Sequence, residues 1–419
     1  MEISASILAD ILQVSKRTAE LWAEKGKYAP VAGKDGTTHF PTGTLVSIPE
    51  IREMMGAGWE EEMGTLPVRE YTSVELFSGA GGLALGLEKA GFTHALLNEV
   101  DEMACRTLQL NRPHWPVKAG DVHGLDFKHL RGKIDLLAGG FPCQPFSYAG
   151  KQGGFGDTRG TLFFELARAV EEIQPRVLLA ENVRGLAAHD AGRTLATIRN
   201  EIDKLGYTLV EPRVLQALLY RVPQKRERLI LIAIRNDLAQ RAQFHWPTPY
   251  HRVLTMRDAL YAGELYPTNT PASPGVGYNA RKAAVLAQVP MGGYWRDLPV
   301  AVQQEYLGTS YGRPGGETGM ARRLSLDEPS LTLVCAPAQK QTERCHPTET
   351  RPLTVREYAR VQTFPDEWQF CGSLASQYKQ VGNAVPVNLA WAVGRAKVGG
   401  KVGGWWLNLQ LVTGRRPRG

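Results

Sequence analysis

Short apolar segments recur along most of the chain, and stretches with helical spacing lie between them. From Tyr71 onward the apolar segments are at 73–77, 94–97, 134–138, 177–180 and 228–234. The stretches of helical spacing are at 81–90, 101–111, 160–173 and 192–205. Regular alternation of strands with helices is typical of βαβ units. The pattern therefore predicts an α/β fold with a doubly wound, mostly parallel sheet.

Residues 1–56 have a different pattern. Their apolar positions recur at helical spacing on both sides of a break near Gln13, and they are Ile7, Leu8, Ile11, Leu12, Val14, Leu21 and Trp22. This predicts two short helices, with Ser15 as the cap of the second and Lys16 and Arg17 at its exposed start. The segment resembles the small winged helix-turn-helix domains of the MerR and excisionase type. A helical cap without DNA contact is the alternative.

Changes in composition mark the remaining boundaries. Residues 57–70 combine glycine, proline and a charge run, which predicts a linker. The rhythm of strands and helices in 71–243 is lost in Pro-, Gly- and Tyr-rich sequence over 244–345, which predicts an inserted irregular domain. The rhythm returns over 346–395. The last residues, 396–419, are rich in glycine and arginine and predict a basic flexible tail.

The chain has 419 residues, a net charge of +7 and five cysteines. Its length predicts two or three domains. The positive charge suits a polyanionic partner such as DNA or RNA. An odd number of scattered cysteines is untypical of a secreted disulfide framework, so we expect a reducing cytoplasm. No stretch approaches the roughly 20 apolar residues that span a bilayer, which predicts a soluble protein without a membrane segment.

A glycine-rich turn follows the first predicted strand of the α/β region, in ELFSGAGGLALGLEKAGF (75–92). Such a turn lets backbone amides approach a bound cofactor closely. Because the Gly-Lys-Ser/Thr ending of a phosphate-binding loop is missing, adenosine or dinucleotide binding fits better than triphosphate binding. Glu99, at the end of the second strand, can bind ribose hydroxyls. Asp121 can accept a hydrogen bond from an adenine amino group, with Val122 against the ring. Both carboxylates can instead be ordinary exposed groups.

The stretch IDLLAGGFPCQPFS (134–147) places a Pro-Cys pair after a predicted strand. FPCQPFS within it resembles the catalytic loop of the DNA (cytosine-5)-methyltransferases of bacterial restriction-modification systems. Further motifs of that family follow in order, in RVLLAENVRG (176–185), VPQKRERLILIAI (222–234), RPLTVREYARVQTFPDEW (351–368) and QYKQVGNAVPVNLA (377–390). The resemblance implies a Rossmann-like methyltransferase domain that uses S-adenosylmethionine, with 244–345 as its target-recognition domain.

The resemblance assigns a covalent mechanism to Cys143. Carbon 5 of cytosine is a poor nucleophile, and the family activates it by adding a cysteine thiolate to carbon 6. A thiol at its reference pKa of about 8.5 is mostly protonated at pH 7, so Arg226 and Arg228 are expected to supply positive charge. Glu181 would protonate or hydrogen-bond ring nitrogen 3, with a pKa raised by partial burial. Asn182 would organise the loop.

The family also implies a binding site for S-adenosylmethionine. The residues expected to form it are Phe77, Ser78, Gly79, Gly81, Gly82, Leu83, Glu99, Val100, Asp121, Val122, Pro142, Asn383 and Ala384. Phe77 would lie against the cofactor, and Asn383 would close the pocket from the C-terminal side. Val100 stands where some members carry an aromatic residue that stacks on adenine, so that stacking is expected to be weaker here or supplied elsewhere.

Methylation of a base inside duplex DNA requires that the base be flipped out of the stack. The glycine-rich loop 144–160 is the predicted lid, and basic and aromatic side chains of 244–345 suit phosphate and base contacts. The residues expected to contact DNA are Gln144, Ser147, Arg159, Gln224 and Thr332. Thr332 lies in SLTL (330–333), which resembles the Thr-Leu-Thr-like spot of the family's recognition domain. Each of these residues can instead be an ordinary surface residue.

Two other functions stay open from the sequence. The animal-type member of the same family carries these motifs and methylates cytosine in tRNA. Residues 1–56 could instead bind an operator and act as a transcriptional regulator. The basic inserted domain favours double-stranded DNA as the substrate, with a cognate restriction endonuclease as a separate partner. We expect a monomer without a metal site, because Cys335, Cys345 and His346 lack a recognised ligand spacing.

Overall fold

The computed structural model describes residues 2–33, 36–56, 58–67, 69–142, 162–240, 243–312 and 319–399. The strands in these ranges are β1 (Glu2–Ser4), β2 (Val31–Ala32), β3 (Thr38–Pro41), β4 (Tyr71–Leu76), β5 (Phe92–Glu99), β6 (Val117–Ala119), β7 (Leu136–Gly140), β8 (Val177–Val183), β9 (Tyr207–Leu209), β10 (Arg213–Gln216), β11 (Gln224–Lys225), β12 (Glu227–Arg235), β13 (Gln243–His245), β14 (Ser330–Leu331) and β15 (Lys397–Gly399).

The α-helices in the same ranges are α1 (Ala5–Leu12), α2 (Lys16–Glu24), α3 (Pro49–Met55), α4 (Trp59–Gly64), α5 (Gly82–Lys89), α6 (Glu102–Asn111), α7 (Leu162–Ile173), α8 (Arg193–Lys204), α9 (Asn236–Ala239), α10 (Met256–Leu260), α11 (Ala280–Leu286), α12 (Val300–Leu307), α13 (Val355–Val361), α14 (Leu374–Asn383) and α15 (Val387–Gly394). No helix within the described ranges combines the length and the apolar character that a bilayer crossing requires.

An eight-stranded sheet forms the centre of the α/β region. Its order is β10-β12-β8-β7-β4-β5-β6, and β9 also pairs with β12. Strands β6, β5, β4, β7 and β8 are parallel, whereas β12 is antiparallel to β8, β9 and β10. The predicted α/β fold with a mostly parallel sheet is thereby confirmed. The strand order reverses between β4 and β7, and ligands of such sheets bind beyond the carboxyl ends of the strands at that point.

Alternate side chains of the central strands enter separate cores on the two faces of the sheet. Leu136 and Ala138 of β7 belong to a buried cluster with Leu389, whereas Leu137 packs in a second cluster with Phe163. This follows from the strand geometry, because successive side chains point to opposite faces. Strands covered on both faces appear in the sequence as short, nearly continuous apolar runs.

Helix α15 attaches the end of the α/β region to its first helix. A Cβ atom on Gly82 would collide with the Val385 carbonyl, and a Cβ on Gly86 would collide with the Ala390 side chain. Only glycine permits so close an approach of two backbones. The packing of α5 against α15 therefore holds the segment around Asn383 beside the glycine-rich turn.

The described residues of 2–33 and 36–56 form three α-helices, a short 3-10 helix and a small antiparallel sheet. Helices α1 and α2 are separated by residues 13–15, and the side chain of Ser15 accepts a hydrogen bond from the Thr18 amide as the N-cap of α2. The strands pair in the order β1-β3-β2. The two predicted helices are present, and a role of α2 in DNA binding stays a prediction.

The predicted linker, 57–70, contains a packed helix. Trp59 in α4 is 1% exposed, and its ring meets those of Tyr250 and Trp391 edge to face. Met63 lies one helical turn further and is also buried, so the two apolar side chains share one face of α4. The linker prediction is therefore wrong for 59–64. Burial of Trp59 and Met63 stabilises a helix there, in spite of the surrounding glycines and charges.

The inserted region has a core of its own. Eight of its buried residues form a separate cluster, while others, such as Met256 and Leu333, pack in a cluster shared with α13; the eight are Leu286, Val289, Trp295, Leu298, Leu307, Met320, Ala321 and Cys345. At the far end of the chain, β15 pairs with β13, which lies at the start of the insertion. The first residues of the predicted flexible tail are thus a strand, and residues 400–419 lie outside the described residues.

We expect Trp59→Ala to lower the free energy of unfolding by about 3 to 5 kcal/mol, because it empties an enclosed aromatic site. Chemical denaturation followed by circular dichroism would measure the change. Leu66→Ala is the control, since Leu66 is 82% exposed. Truncation there should change the stability by less than about 0.5 kcal/mol. Equal effects of the two substitutions would mean that α4 is not part of the core.

Candidate active site

A cavity of about 1000 Å³ lies at the switch point of the sheet. Residues at the carboxyl ends of β4, β5, β7 and β8 line it, and segments around 332–335 and 379–385 complete its wall. The strand order predicts a ligand at this location. All the residues expected to bind the cofactor line this cavity except Gly81. Glu181, Asn182, Arg226 and Arg228 line it as well.

The glycine-rich turn after β4 has an unusual backbone. Phe77, Gly79 and Gly81 have positive φ values of 60°, 54° and 88°. This conformation is strained for phenylalanine, and such strain is typical of sites at which ligands bind. A Cβ on Gly81 would come within 2.7 Å of Leu108, on the side of the protein interior. Gly81 therefore shapes the turn from the interior side, and its role in cofactor binding stays a prediction.

Glu99, at the end of β5, holds this turn in place. Its Oε2 accepts a hydrogen bond from the Gly79 amide at 2.7 Å, and its Oε1 accepts from the Val100 and Asp101 amides at 2.9 and 2.8 Å. Each carboxylate oxygen has two lone-pair sites, so Glu99 keeps capacity for a further donor. The side chain of Val100 is 72% exposed where it lines the cavity. It is an apolar surface that a ligand could cover.

Asp121 follows β6 and is held by its own turn. Its Oδ1 accepts from the His123 amide at 3.0 Å and lies 2.6 Å from His123 Nδ1. These bonds keep the pKa of Asp121 below its ordinary value. The carboxylate is exposed, whereas the side chain of Val122 is buried. The pair therefore offers the cavity one ionised acceptor and one apolar surface.

Glu75 in β4 is a lining residue that sequence analysis missed. It is 1% exposed, and its Oε2 has no hydrogen-bond partner within the described part of the chain. Burial raises the pKa of Glu75 well above its ordinary value, and the nearby charge of Glu99 raises it further. The available signal was a single carboxyl group inside the otherwise uncharged strand YTSVEL (71–76).

An ion pair between Glu181 and Arg228 forms a second part of the site. Glu181 Oε1 is 2.5 Å from Arg228 Nε, and both side chains are 11% exposed. The antiparallel register of β8 and β12, with Arg228 opposite Val183, brings the two side chains together. Burial raises the pKa of Glu181, while Arg228 and then Arg226 counteract that shift.

Arg226 joins three separate segments in the interior. Its Nη2 donates to the carbonyls of Gly382 and Ala384 at 3.0 and 2.9 Å, and its Nη1 donates to the Leu333 carbonyl at 3.3 Å. Burial lowers the pKa of Arg226, and the charge of Arg228 lowers it further. Both arginines were expected to supply positive charge to the thiol, but they have different partners, a carboxylate for Arg228 and backbone carbonyls for Arg226.

Asn182 connects β8 to the segment that leads into the predicted catalytic loop. Its Nδ2 donates to the Phe141 carbonyl at 2.7 Å, and its Oδ1 accepts from the Val183 amide at 2.9 Å. The last described residue before the loop is Pro142, which lines the cavity. Four residues with predicted roles lie outside the described residues, namely Cys143, Gln144, Ser147 and Arg159.

Cys335 and Asn383 meet at the wall of the cavity. Cys335 Sγ lies 3.0 Å from Asn383 Oδ1. In the same wall, Lys379 forms an ion pair with Asp101 at 2.9 Å. Cys335 was considered from the sequence only as a possible metal ligand, so its position in the cavity wall was not predicted. Among the described residues, no group of three or more His, Cys, Asp or Glu side chains is arranged to hold a metal ion.

Two residues expected to contact DNA are engaged within the protein. Gln224 is fully buried, donates to Gln362 Oε1 at 2.9 Å and accepts from the Leu333 amide at 2.9 Å. The DNA prediction for Gln224 is wrong, because an enclosed side chain with both amide ends bonded joins the inserted region to the α/β region. Thr332 Oγ1 donates to the Lys225 carbonyl at 2.5 Å and lines the cavity, where its DNA contact stays a prediction.

The chain is similar to known proteins over almost its whole length. A family profile for the C-5 cytosine-specific DNA methylase matches residues 71–398. The type II methyltransferase M.PspPI of Psychrobacter sp. (strain TA137) is 58% identical, over 94% of this chain and 95% of that protein. M.Eco47II of Escherichia coli is 59% identical over 95% of each chain. M.Sau96I of Staphylococcus aureus is 46% identical, over 93% of this chain and 86% of that protein.

A solved structure agrees with the fold described above. It is a crystal structure of a DNA modification methyltransferase encoded within an E. coli prophage, with 25% sequence identity and a TM-score of 0.56. The similarity covers 78% of this chain and 97% of that one.

We expect Arg228→Met to raise the pKa of Glu181 further, because burial persists while the largest opposing charge is lost. The carboxyl group would then keep its proton to a higher pH. Carbon-13 NMR of labelled glutamate, with Glu181→Gln to assign the resonance, would measure the titration. Arg193→Met is the control, since Arg193 is exposed and pairs with Asp190. An unchanged Glu181 titration in Arg228→Met would refute the assigned cause.

Proposed function

Since this chain belongs to the C-5 cytosine-specific DNA methylase family, we propose that this DNA (cytosine-5)-methyltransferase methylates a flipped-out cytosine in a specific short duplex sequence. S-adenosylmethionine is the proposed methyl donor, and Cys143 is the proposed covalent nucleophile. The observation that carries the proposal is the buried Glu181–Arg228 pair, which lines the same cavity as the glycine-rich turn. One cavity can therefore accommodate the methyl donor and the base together.

The residues present fit S-adenosylmethionine. That molecule carries an ammonium and a sulfonium group, and the cavity contains the carboxyl groups of Glu75, Glu99 and Asp121. Glu75 Oε2 is a buried acceptor without a partner in the described ranges, as expected where a ligand supplies the donor. Val100 and Val122 offer apolar surfaces for the adenine ring. When bound, the cofactor supplies an electrophilic methyl group, and these side chains bind and orient it.

The proposed chemistry begins with addition of the Cys143 thiolate to carbon 6 of cytosine, which makes carbon 5 nucleophilic. Glu181 is proposed to hydrogen-bond or protonate ring nitrogen 3 during this addition. Its raised pKa supports the role, because a carboxyl that keeps its proton closer to neutral pH can donate it. Arg228 orients the carboxyl group of Glu181 and limits the rise of its pKa, so that Glu181 can release its proton to the base and later take it back.

Asn182 is proposed to position the nucleophile without touching the substrate. Asn182 donates a hydrogen bond to the carbonyl of Phe141, which is two residues before Cys143 in the chain. That bond fixes the point at which the catalytic loop leaves β7. Because the start of the loop is fixed, the thiolate can take fewer positions. Orienting the reacting groups in this way lowers the barrier of a bimolecular step.

Double-stranded DNA is the proposed substrate of the cavity. The base must leave the duplex to reach a buried carboxyl group such as Glu181, at an unstacking cost of a few kcal/mol. We propose that Gln144, Ser147 and Arg159 of loop 144–160 contact the opened duplex, and that Thr332 contributes from the inserted region. The similar type II methyltransferases support a protective role, in which the enzyme methylates the site of a cognate restriction endonuclease.

We expect Cys143→Ser to lower methyl transfer by about three orders of magnitude or more, because a hydroxyl is a far weaker nucleophile than a thiolate at neutral pH. DNA binding should survive. Bisulfite sequencing of unmethylated plasmid DNA, after incubation with the protein and S-adenosylmethionine, measures the transfer and identifies the target sequence. Cys371→Ser is the matched control, since Cys371 does not line the cavity.

Protection of cytosines in one short sequence context by the unaltered protein, and its loss in Cys143→Ser, is the expected result. Retained turnover in Cys143→Ser would refute the covalent mechanism. Methyl transfer to tRNA without transfer to DNA would refute the duplex substrate. A specific gel shift, by the full chain, of upstream DNA that lacks the methylated sequence would add a regulatory role of residues 1–56 without affecting the catalytic proposal.

We expect Val100→Trp to tighten binding of S-adenosylmethionine about fivefold, because an aromatic ring at this exposed position can stack on adenine for roughly 1 kcal/mol. Isothermal titration calorimetry with the purified protein would measure the affinity. Leu110→Trp is the control, since Leu110 is 53% exposed and lies outside the cavity. Weaker or unchanged binding by Val100→Trp would count against adenine at this end of the cavity.

A further inference from the structure

The chain segment that carries both arginines of the site has two sets of contacts. Arg226 and Arg228 line the cavity. Lys225 and Glu227, which alternate with them, contact the N-terminal helix α1 and its C-cap. Successive side chains of an extended segment point to opposite sides, so contacts at 225 and 227 fix where 226 and 228 point.

Lys225 is held by a half-buried cluster of charges. Its Nζ lies 2.8 Å from Asp10 Oδ2 and 3.3 Å from Glu328 Oε2, and these three side chains are 17 to 25% exposed. Ser6, one turn before Asp10 in α1, donates to Glu328 Oε1 at 2.7 Å. One helix therefore contacts both the lysine and the second carboxylate that the lysine binds.

Glu227 is held by the residue that ends α1. Gln13 adopts the left-handed conformation, with a φ of 55°, as the C-cap of the helix. Its side-chain nitrogen donates to Glu227, and its side-chain oxygen accepts from Arg184 Nη1 at 3.3 Å. Arg184 in turn donates to both oxygens of Glu227, at 3.1 and 3.0 Å. Three side chains thus close a ring of hydrogen bonds.

This ring lies beside the Glu181–Arg228 pair. Glu227 and Arg184 directly precede and follow the last register pair of β12 and β8, which is Arg228 opposite Val183. Gln13 therefore clamps the ends of the two strands that carry the buried acid and its arginine. The neighbouring strand β10 is tied to the same helix, because Gln216 Nε2 donates to the Ile11 carbonyl at 3.0 Å.

The contact is continuous with the protein core. Leu8 and Ile11 of α1 are fully buried, in one cluster with Leu215 and Leu219 beside β10 and β11. Helix α1 is therefore part of the scaffold of the catalytic region, whereas Lys16 at the start of α2 and Lys25 and Lys27 directly after it remain exposed.

We propose that Asp10 and Gln13 are positioning residues for Arg226 and Arg228, so that the N-terminal region sets the geometry of the Glu181–Arg228 pair. The inference deepens the proposed function and rests on it. A site whose supporting contacts are loosened by about 1 Å can lose up to a hundredfold in rate. Loss of the two polar contacts at the strand ends, with the apolar packing of α1 kept, should lower the rate by less than a hundredfold.

The test uses the full chain carrying Asp10→Asn and Gln13→Ala together. We expect kcat for methyl transfer to fall about tenfold, with KM for DNA and for S-adenosylmethionine within about twofold of the unaltered protein. Hydrogen exchange at 224–230 should become faster. Glu24→Gln is the matched control, because it also removes a carboxylate from the N-terminal region, and the side-chain partner of Glu24 is Arg17 in its own helix.

Comparison of kcat with KM for DNA distinguishes a positioning role of the N-terminal region from a role in DNA binding. An increase in KM for DNA at unchanged kcat would overturn the inference and make the N-terminal region a DNA-binding surface. Unchanged kinetics and unchanged exchange at 224–230 would overturn it in favour of plain packing. Methyl transfer by the unaltered protein tests the proposed function separately, and the exchange measurement tests the positioning contacts without requiring activity.

Discussion

The buried pair of Glu181 and Arg228 is the interaction on which the rest of the site depends. A carboxylate and a guanidinium removed from water are each costly unless they meet a partner with good geometry. The antiparallel register of β12 against β8 supplies that geometry. Arg226, two residues away, donates to three carbonyls from segments around 333 and 382–384. Burial of the segment that carries Arg226 and Arg228 therefore requires the inserted and C-terminal segments to pack against it.

The same constraint explains how distant parts of the chain form one cavity. Helix α5, which follows the glycine-rich turn, requires glycine at 82 and 86 because Val385 and α15 pack against its backbone. That packing brings Asn383 into the wall of the cavity that Glu99, and the turn that Glu99 holds, also line. On the side of residues 225–228 that faces away from the cavity, Asp10 forms an ion pair with Lys225, and Gln13 donates a hydrogen bond to Glu227. The arginines are thus fixed from the cavity side by carbonyls and a carboxylate, and from the outer side by the N-terminal helix.

Much of this could be predicted from the sequence. Strands and helices of the α/β region lie within a few residues of their expected positions, because segments covered on both faces carry continuous apolar runs. Glu99 and Asp121 were expected from their positions at strand ends, and Glu181 and Asn182 from the family resemblance; all four line the cavity. The linker at 57–70 was misread because composition cannot show that Trp59 fits against Tyr250 and Trp391.

The sequence by itself determined the order of strands and helices, the glycine-rich turn and the family motifs, since these depend on local spacing and residue type. Tertiary structure alone decided which polar side chains remain available. Gln224 became an internal link, Glu75 a buried carboxyl group in the cavity and Cys335 a neighbour of Asn383. Pairing between residues more than a hundred positions apart, as between Asp10 and Lys225, depends on how the elements pack, and no local pattern encodes it.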